Sequence, residues 1–232
     1  MYSNKKLGRL AGLIFLILAI TGIFAEFFVR QKLYVPGDLA ATYTNITENQ
    51  WLFRLGFVSD LLMSTSFFFY VFVMYTVFKK VNKNLSLLML LLTVISVAMF
   101  CQNALNQFAG LKLLTTDYYV GALNYEQLQS LATFFTNIHM DGYLVNQIFY
   151  GLYMFPLGYM IFKSGLAPKV IGVFLMLGAI VDIIDFIVYF LYPNINSVFL
   201  QNITIPADIG EISLCLWLLF MGLKNYDAIE NV

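Results

Sequence analysis

The chain is poor in the residues that most metal and redox chemistry needs, with one histidine, His139, and two cysteines, Cys101 and Cys215. A single histidine excludes haem held by two histidines and any zinc centre built on several. The cysteines sit inside apolar runs without metal-type spacing, so they read as small core residues and not as a disulfide framework. Charge is scarce as well. At 60% hydrophobic and 11% charged, a soluble protein of 232 residues would lack the polar groups to cover itself. The 13 Lys and Arg balance the 13 Asp and Glu, which leaves no electrostatic footprint for nucleic acid. There is no His-Glu-x-x-His pair, no nucleophile elbow, no Walker loop and no evident inverted repeat of the transporter kind. No motif names a cofactor.

Long apolar runs are abundant. A helix of about 20 residues crosses a ~30 Å hydrocarbon core, and six segments qualify: 7–28, 52–78, 85–111, 139–162, 170–191 and 207–223. The expected fold class is therefore all-α: a polytopic membrane protein, one domain over 1–232 with six transmembrane helices in a bundle. Lys5, Lys6 and Arg9 precede a run that continues to Phe28, which reads as a retained first span and not a cleaved signal. Gly8-x-x-x-Gly12 is a close-packing motif, and Pro156 is expected to kink the fourth span.

Charge alternates along the connecting segments. Lys5, Lys6, Arg9, Lys79, Lys80, Lys83, Lys163, Lys169 and Lys224 fall at one end of the spans. Only Arg30, Lys32, Arg54 and Lys112 fall at the other, together with eleven of the acids and the histidine. By the positive-inside rule both termini are cytoplasmic, in the cell membrane. The inner loops are short. The outer ones carry helix signals: Pro36-Gly37-Asp38 leads into a short helix capped by Asp38, and Asn124 with Gln127 forms a capping-box pattern. A helix from 125 to 162 would measure ~57 Å, so a break near Gly142 or an interfacial helix is expected.

Counting at 1.5 Å per residue from the inner basic anchors places polar groups from every span in the same outer slab. Asp182 and Glu211 lie ~20 Å above their anchors, Glu26, Asp60 and Asn103 at ~26–30 Å, and His139 and Asp141 slightly higher. Carboxylates at such depth must be paired, protonated or wet. Asp182 and Asp185 share a helical face at i, i+3; Gln102, Asn103, Asn106 and Gln107 make a carboxamide stripe; His139, Tyr143, Asn146 and Tyr150 recur at helical intervals. Asp208 and Glu211 follow Pro206 in a first helical turn, where a carboxylate suits the helix dipole. Arg54 reads as an interfacial anchor or a partner for Glu26 or Asp60. His139 and Asp141, two positions apart, face different ways and make a weak metal pair. The expected lining of an outward-facing polar pocket is Glu26, Arg54, Asp60, Asn103, Asn106, His139, Asp141, Asn146, Asp182, Asp185 and Glu211.

Several stretches together resemble one family. Gly22-Ile-Phe-Ala-Glu-Phe-Phe-Val-Arg30, Val35-Pro-Gly-Asp38 and Leu52-Phe-Arg-Leu-Gly-Phe-Val-Ser-Asp60 carry the resemblance in the first quarter of the chain. His139-Met-Asp-Gly-Tyr143, Gly158-Tyr-Met-Ile-Phe-Lys-Ser-Gly165 with Pro168, and Gly210-Glu-Ile-Ser-Leu-Cys-Leu-Trp217 carry it further on. The chain resembles the domain-of-unknown-function family 4386, which implies a prokaryotic multi-pass membrane protein and assigns no reaction. Beyond the lipid bilayer, the expected partner is a small polar ligand, a cation or a lipid headgroup. The alternatives are a proton- or ion-coupled carrier using Asp182, Asp185 and Glu211, and a membrane-embedded hydrolase using His139 with carboxylates.

Overall fold

The computed structural model describes residues 3–35, 37–115, 122–192 and 203–225. These residues are almost entirely helical. In chain order they form α1 (Asn4–Ile23), a π-helical continuation (Phe24–Arg30), α2 (Gln31–Leu33), α3 (Leu39–Glu48), α4 (Gln50–Phe78) and α5 (Lys83–Thr115). The remaining helices are α6 (Tyr125–Ser164), α7 (Lys169–Leu191) and α8 (Ile205–Phe220). Among the described residues four stretches are long and apolar enough to cross a membrane: Asn4–Leu33, Gln50–Phe78, Lys83–Thr115 and Lys169–Leu191. Of the other two expected spans, 139–162 lies within α6 and 207–223 lies on α8 as far as Phe220, but these helices are not among the four. Large apolar side chains such as Leu13, Ile20, Leu62, Leu91 and Ile180 are exposed along these stretches. Helices apolar on the outside as well as the inside suit lipid and not water.

The chain divides into two compact units. The first comprises Met1–Ile17, Ser66–Val97 and Leu144–Val232. Its interior is built from Phe15, Phe67, Tyr70, Met74, Phe78, Met89, Tyr153, Met154, Leu157, Leu175 and Leu218. Small residues let its helix backbones approach, as expected where apolar surroundings provide no hydrophobic drive between helices. A Cβ at Gly12 would lie 2.7 Å from the Leu219 nitrogen, so the Gly8-x-x-x-Gly12 motif seats α1 on the end of α8. Likewise a Cβ at Gly158 would lie 2.5 Å from the Gly172 carbonyl, joining α6 to α7. The basic end is tied by hydrogen bonds: Arg9 donates to the Phe220 carbonyl at 3.0 Å, and Asn4 to the Lys224 carbonyl at 3.1 Å. Gly222, at φ +70°, closes α8 in the left-handed conformation that other residues avoid.

The second unit comprises Leu18–Thr65 and Ala98–Tyr143. Val29, Leu33, Tyr43, Ile46, Phe53, Leu111, Leu128 and Ala132 form its core. Both expected helix caps are present. Asp38 accepts from the Ala41 amide at 2.8 Å, and Asn124 and Gln127 exchange reciprocal bonds of 2.9 Å. Pro36, the first residue of the expected turn, lies outside the described residues.

One expectation is overturned. No break occurs near Gly142: α6 is a continuous helix of 40 residues. The glycine serves close packing instead, because a Cβ there would run into the Asn103 carboxamide. Pro156 lies inside the same uninterrupted helix.

Candidate functional site

Most of the expected lining residues fall into two polar clusters, one within each unit, while Arg54 and Asp141 are exposed. In the first unit the cluster is carboxylate-rich. Glu211, in the second turn of α8, accepts from the Tyr150 hydroxyl at 2.8 Å and from the Tyr153 hydroxyl at 2.5 Å. The Gln147 carboxamide donates to Asp185 Oδ2 at 3.1 Å and also bonds Asp182. Asp182 is 4% exposed and lies against the backbone of Gly151, where a Cβ would sit 2.7 Å from its own Cβ. The charges that reach Asp182 belong to Glu211, Asp185 and Asp208. Among the described residues no Lys, Arg or His is paired with Asp182, Asp185 or Glu211. Tyr70 is wholly buried beside Glu211 and its hydroxyl has no partner; Asn146 Oδ1 is similarly buried and unpartnered. Asp208 is exposed near the start of α8, as a residue complementing the helix dipole would be.

The helical intervals explain the arrangement. Gln147, Tyr150 and Tyr153 recur on α6 so that their polar tips follow one face, and Asp182 and Asp185 do the same on α7. The sequence reasoning singled out Tyr150 but missed Gln147 and Tyr153 as donors to these acids. Their spacing from Tyr150 was the available signal.

In the second unit the cluster is an ion triad. Arg30 donates Nε–H to Glu26 Oε2 at 2.7 Å and Nη1–H to Asp60 Oδ2 at 2.8 Å. Asp60 is 2% exposed, while the Glu26 side chain is about half exposed. Glu26 and Arg30 both lie on the π-helical segment, a wider winding that often marks functional positions. Of the two roles expected for Arg54, pairing with Glu26 or Asp60 is not the one it takes among the described residues. It is exposed, with Cζ 5.5 Å from the centre of the Phe108 ring. The base joining Glu26 to Asp60 is Arg30, and the i, i+4 spacing Glu26–Arg30 was the sequence signal for it.

Around the triad, Asn103 donates to the His139 carbonyl at 2.8 Å, and the His139 ring Nδ1 meets the Asn103 carbonyl at 3.2 Å. A carbonyl only accepts, so Nδ1 carries the proton and Nε2 is left with a lone pair. Asn106 donates to Asn103 Oδ1 at 3.2 Å, and Gln107 bonds the Tyr34 hydroxyl. Burial pushes that hydroxyl above the ordinary tyrosine value, with the Gln107 bond opposing. The carboxamide stripe thus joins helices, except for Gln102, which is exposed. His139 is buried and Asp141 is exposed, so this pair is not brought together. Among the described residues no three His, Cys, Asp or Glu side chains are placed to hold a metal ion.

The chain is 27% identical over 158 residues to an "Uncharacterized protein" of Archaeoglobus fulgidus, covering 68% of this chain and 78% of the relative. No solved structure matches it. The profile of the family described as Domain of unknown function (DUF4386) matches residues 10–222, and the chain belongs to that family.

Proposed function

We propose that the protein is a multi-pass protein of the cytoplasmic membrane, with six spans and both termini cytoplasmic, that binds a proton or a small cation at Asp182, Asp185 and Glu211. Four membrane-length helices and the clustering of lysines at alternate loops support the topology. One observation carries the binding reading: carboxylates of α7 (Asp182, Asp185) and α8 (Glu211) share the hydroxyl and carboxamide donors that α6 supplies in Tyr150, Tyr153 and Gln147, and among the described residues no Lys, Arg or His pairs with them. Removing a carboxylate from water costs several kcal/mol unless a counter-charge or proton accompanies it. Hydrogen bonds from Tyr150, Tyr153 and Gln147 orient these oxygens without supplying that charge. Coupling such a site to movement across the bilayer would make the protein an ion-coupled carrier.

Proteoliposomes containing the full chain and a trapped pH dye test the reading under an imposed pH gradient or potassium potential. The expected result is a flux that Glu211→Gln or Asp182→Asn abolishes. Binding without transport would appear as proton or cation uptake by the detergent-solubilised protein that the same substitutions remove. Wild-type protein showing neither flux nor uptake overturns the proposal. The hydrolase alternative has less support, because His139 is buried, engaged with Asn103 and separated from exposed Asp141.

A further inference from the structure

The ion triad of the second unit is incompletely satisfied, and what it lacks is specific. Asp60 Oδ1 is buried without a hydrogen-bond partner, although Oδ2 of the same carboxylate holds Arg30. Gln107 Oε1 is also buried without a partner, in a residue 7% exposed. Tyr34 links the two: its hydroxyl bonds Gln107 and feels the charges of Asp60 and Arg30. His139 lies within electrostatic range of Asp60, with its ring held by the Asn103 carbonyl. Buried acceptors are rarely left unpaired in folded proteins, and each such atom calls for an occupant.

The chemistry of that occupant follows from the atoms. Both unpartnered atoms accept hydrogen bonds, so the ligand must donate. Glu26 and Asp60 carry two negative charges against one on Arg30, which leaves the cluster with a deficit of one positive charge. A metal ion would find too few anionic ligands here. A primary ammonium group carries one positive charge and three N–H donors, and so matches both the charge and the acceptors. Glu26 is about half exposed and Arg30 about a quarter, so the triad itself borders the surface. We propose that Asp60 and Gln107, beside Arg30 and Tyr34, form a binding site for a primary ammonium group, borne by a soluble amine or by an aminolipid headgroup. This site is separate from the carboxylate cluster of the first unit and does not depend on its reading.

The test uses the full chain, purified in detergent and in lipid nanodiscs. Methylammonium and ethanolamine are titrated calorimetrically, with tetramethylammonium as a control of equal charge and no N–H donor. Saturable binding of the primary amines, absent for tetramethylammonium, is expected. Asp60→Asn should weaken it about tenfold or more, the worth of one hydrogen bond between charged groups. Gln107→Leu provides a second variant that leaves the Arg30–Asp60 pair intact, in case Asp60→Asn fails to fold. Thermal stabilisation in phosphatidylethanolamine nanodiscs over phosphatidylcholine ones, lost in Gln107→Leu, would support the site with a headgroup as the source. Equal response to tetramethylammonium overturns the proposal. So does the absence of any response in both arms, which would leave water as the partner of these atoms.

Discussion

The Tyr153 hydroxyl and Glu211 Oε1 lie 2.5 Å apart, joining α6 to α8 across a sequence separation of 58 residues. A hydrogen bond to a charged acceptor contributes about 1.5–3 kcal/mol. Tyr153→Phe is therefore expected to destabilise the solubilised protein by about that amount, and Tyr150→Phe by less, because Tyr150 is not fully buried. Thermal unfolding of the single variants and of each combined with Glu211→Gln measures the coupling. Strictly additive effects would show that the bonds do not form.

Arg30 holds two carboxylates, so its loss leaves Asp60 buried without a counter-charge. Breaking one side of a buried pair costs about 3–5 kcal/mol, and the partial exposure of Arg30 puts the expected effect of Arg30→Met at about the lower figure. Arg30→Met combined with Asp60→Leu should recover most of the loss. Arg30→Lys should recover little, since one ammonium does not reproduce the guanidinium fork. Chemical unfolding of the four proteins tests this, and an Arg30→Met protein as stable as wild type contradicts the triad.

Glycines at helix contacts should differ sharply in tolerance. An added methyl at Gly142 would displace Asn103, and one at Gly151 would displace Asp182. Overpacking of this kind costs about 1–3 kcal/mol. At Gly110 the nearest atom to an added Cβ is 3.5 Å away, an ordinary contact. Gly110→Ala should be neutral or stabilising by up to about 1 kcal/mol through helix propensity. Melting temperatures of the three alanine variants make the comparison.

Tyr43, buried in the outer core of the second unit, bonds Thr133. Burial pushes its hydroxyl above the ordinary value, with the Thr133 bond opposing. The unfolded chain then loses this proton first, near pH 10. The stability gained from the neutral form is complete below that pH and falls as pH rises through the folded value. Tyr43→Phe removes this contribution, so the difference in stability between wild type and variant should shrink on alkaline titration. A constant difference from pH 8 to 11 would contradict the assignment.

Asn124 and Gln127 cap the start of α6 reciprocally. Asn124→Ala should cost about 1 kcal/mol locally. Hydrogen exchange of the first turn, at residues 125–128, is expected to quicken while the interior of α7 is unchanged.

These relationships were unequally legible beforehand. Asp38, Asn124 and the Gly8–Gly12 pair were readable because capping and close packing depend on residues within a turn or two. The continuous course of α6 through Gly142 was not. A glycine that weakens a helix locally and one that admits a neighbouring side chain look the same until the neighbour, Asn103, is known. The i, i+4 step from Glu26 pointed to Arg30 as its partner, but that the same Arg30 also reaches Asp60 depends on how the two helices are rotated about their axes.

Composition and hydropathy by themselves determined an all-helical chain with membrane-length segments and a polar end distinct from a basic one, because those properties follow from each residue's own solvation and from short-range geometry. Only the tertiary structure decided that Glu211 is held by Tyr150 and Tyr153, and that Asp60 shares Arg30 with Glu26. Hydrogen bonding falls away within a fraction of an ångström and a few tens of degrees. Partners are therefore chosen by helix rotation and packing, which no single helix encodes alone.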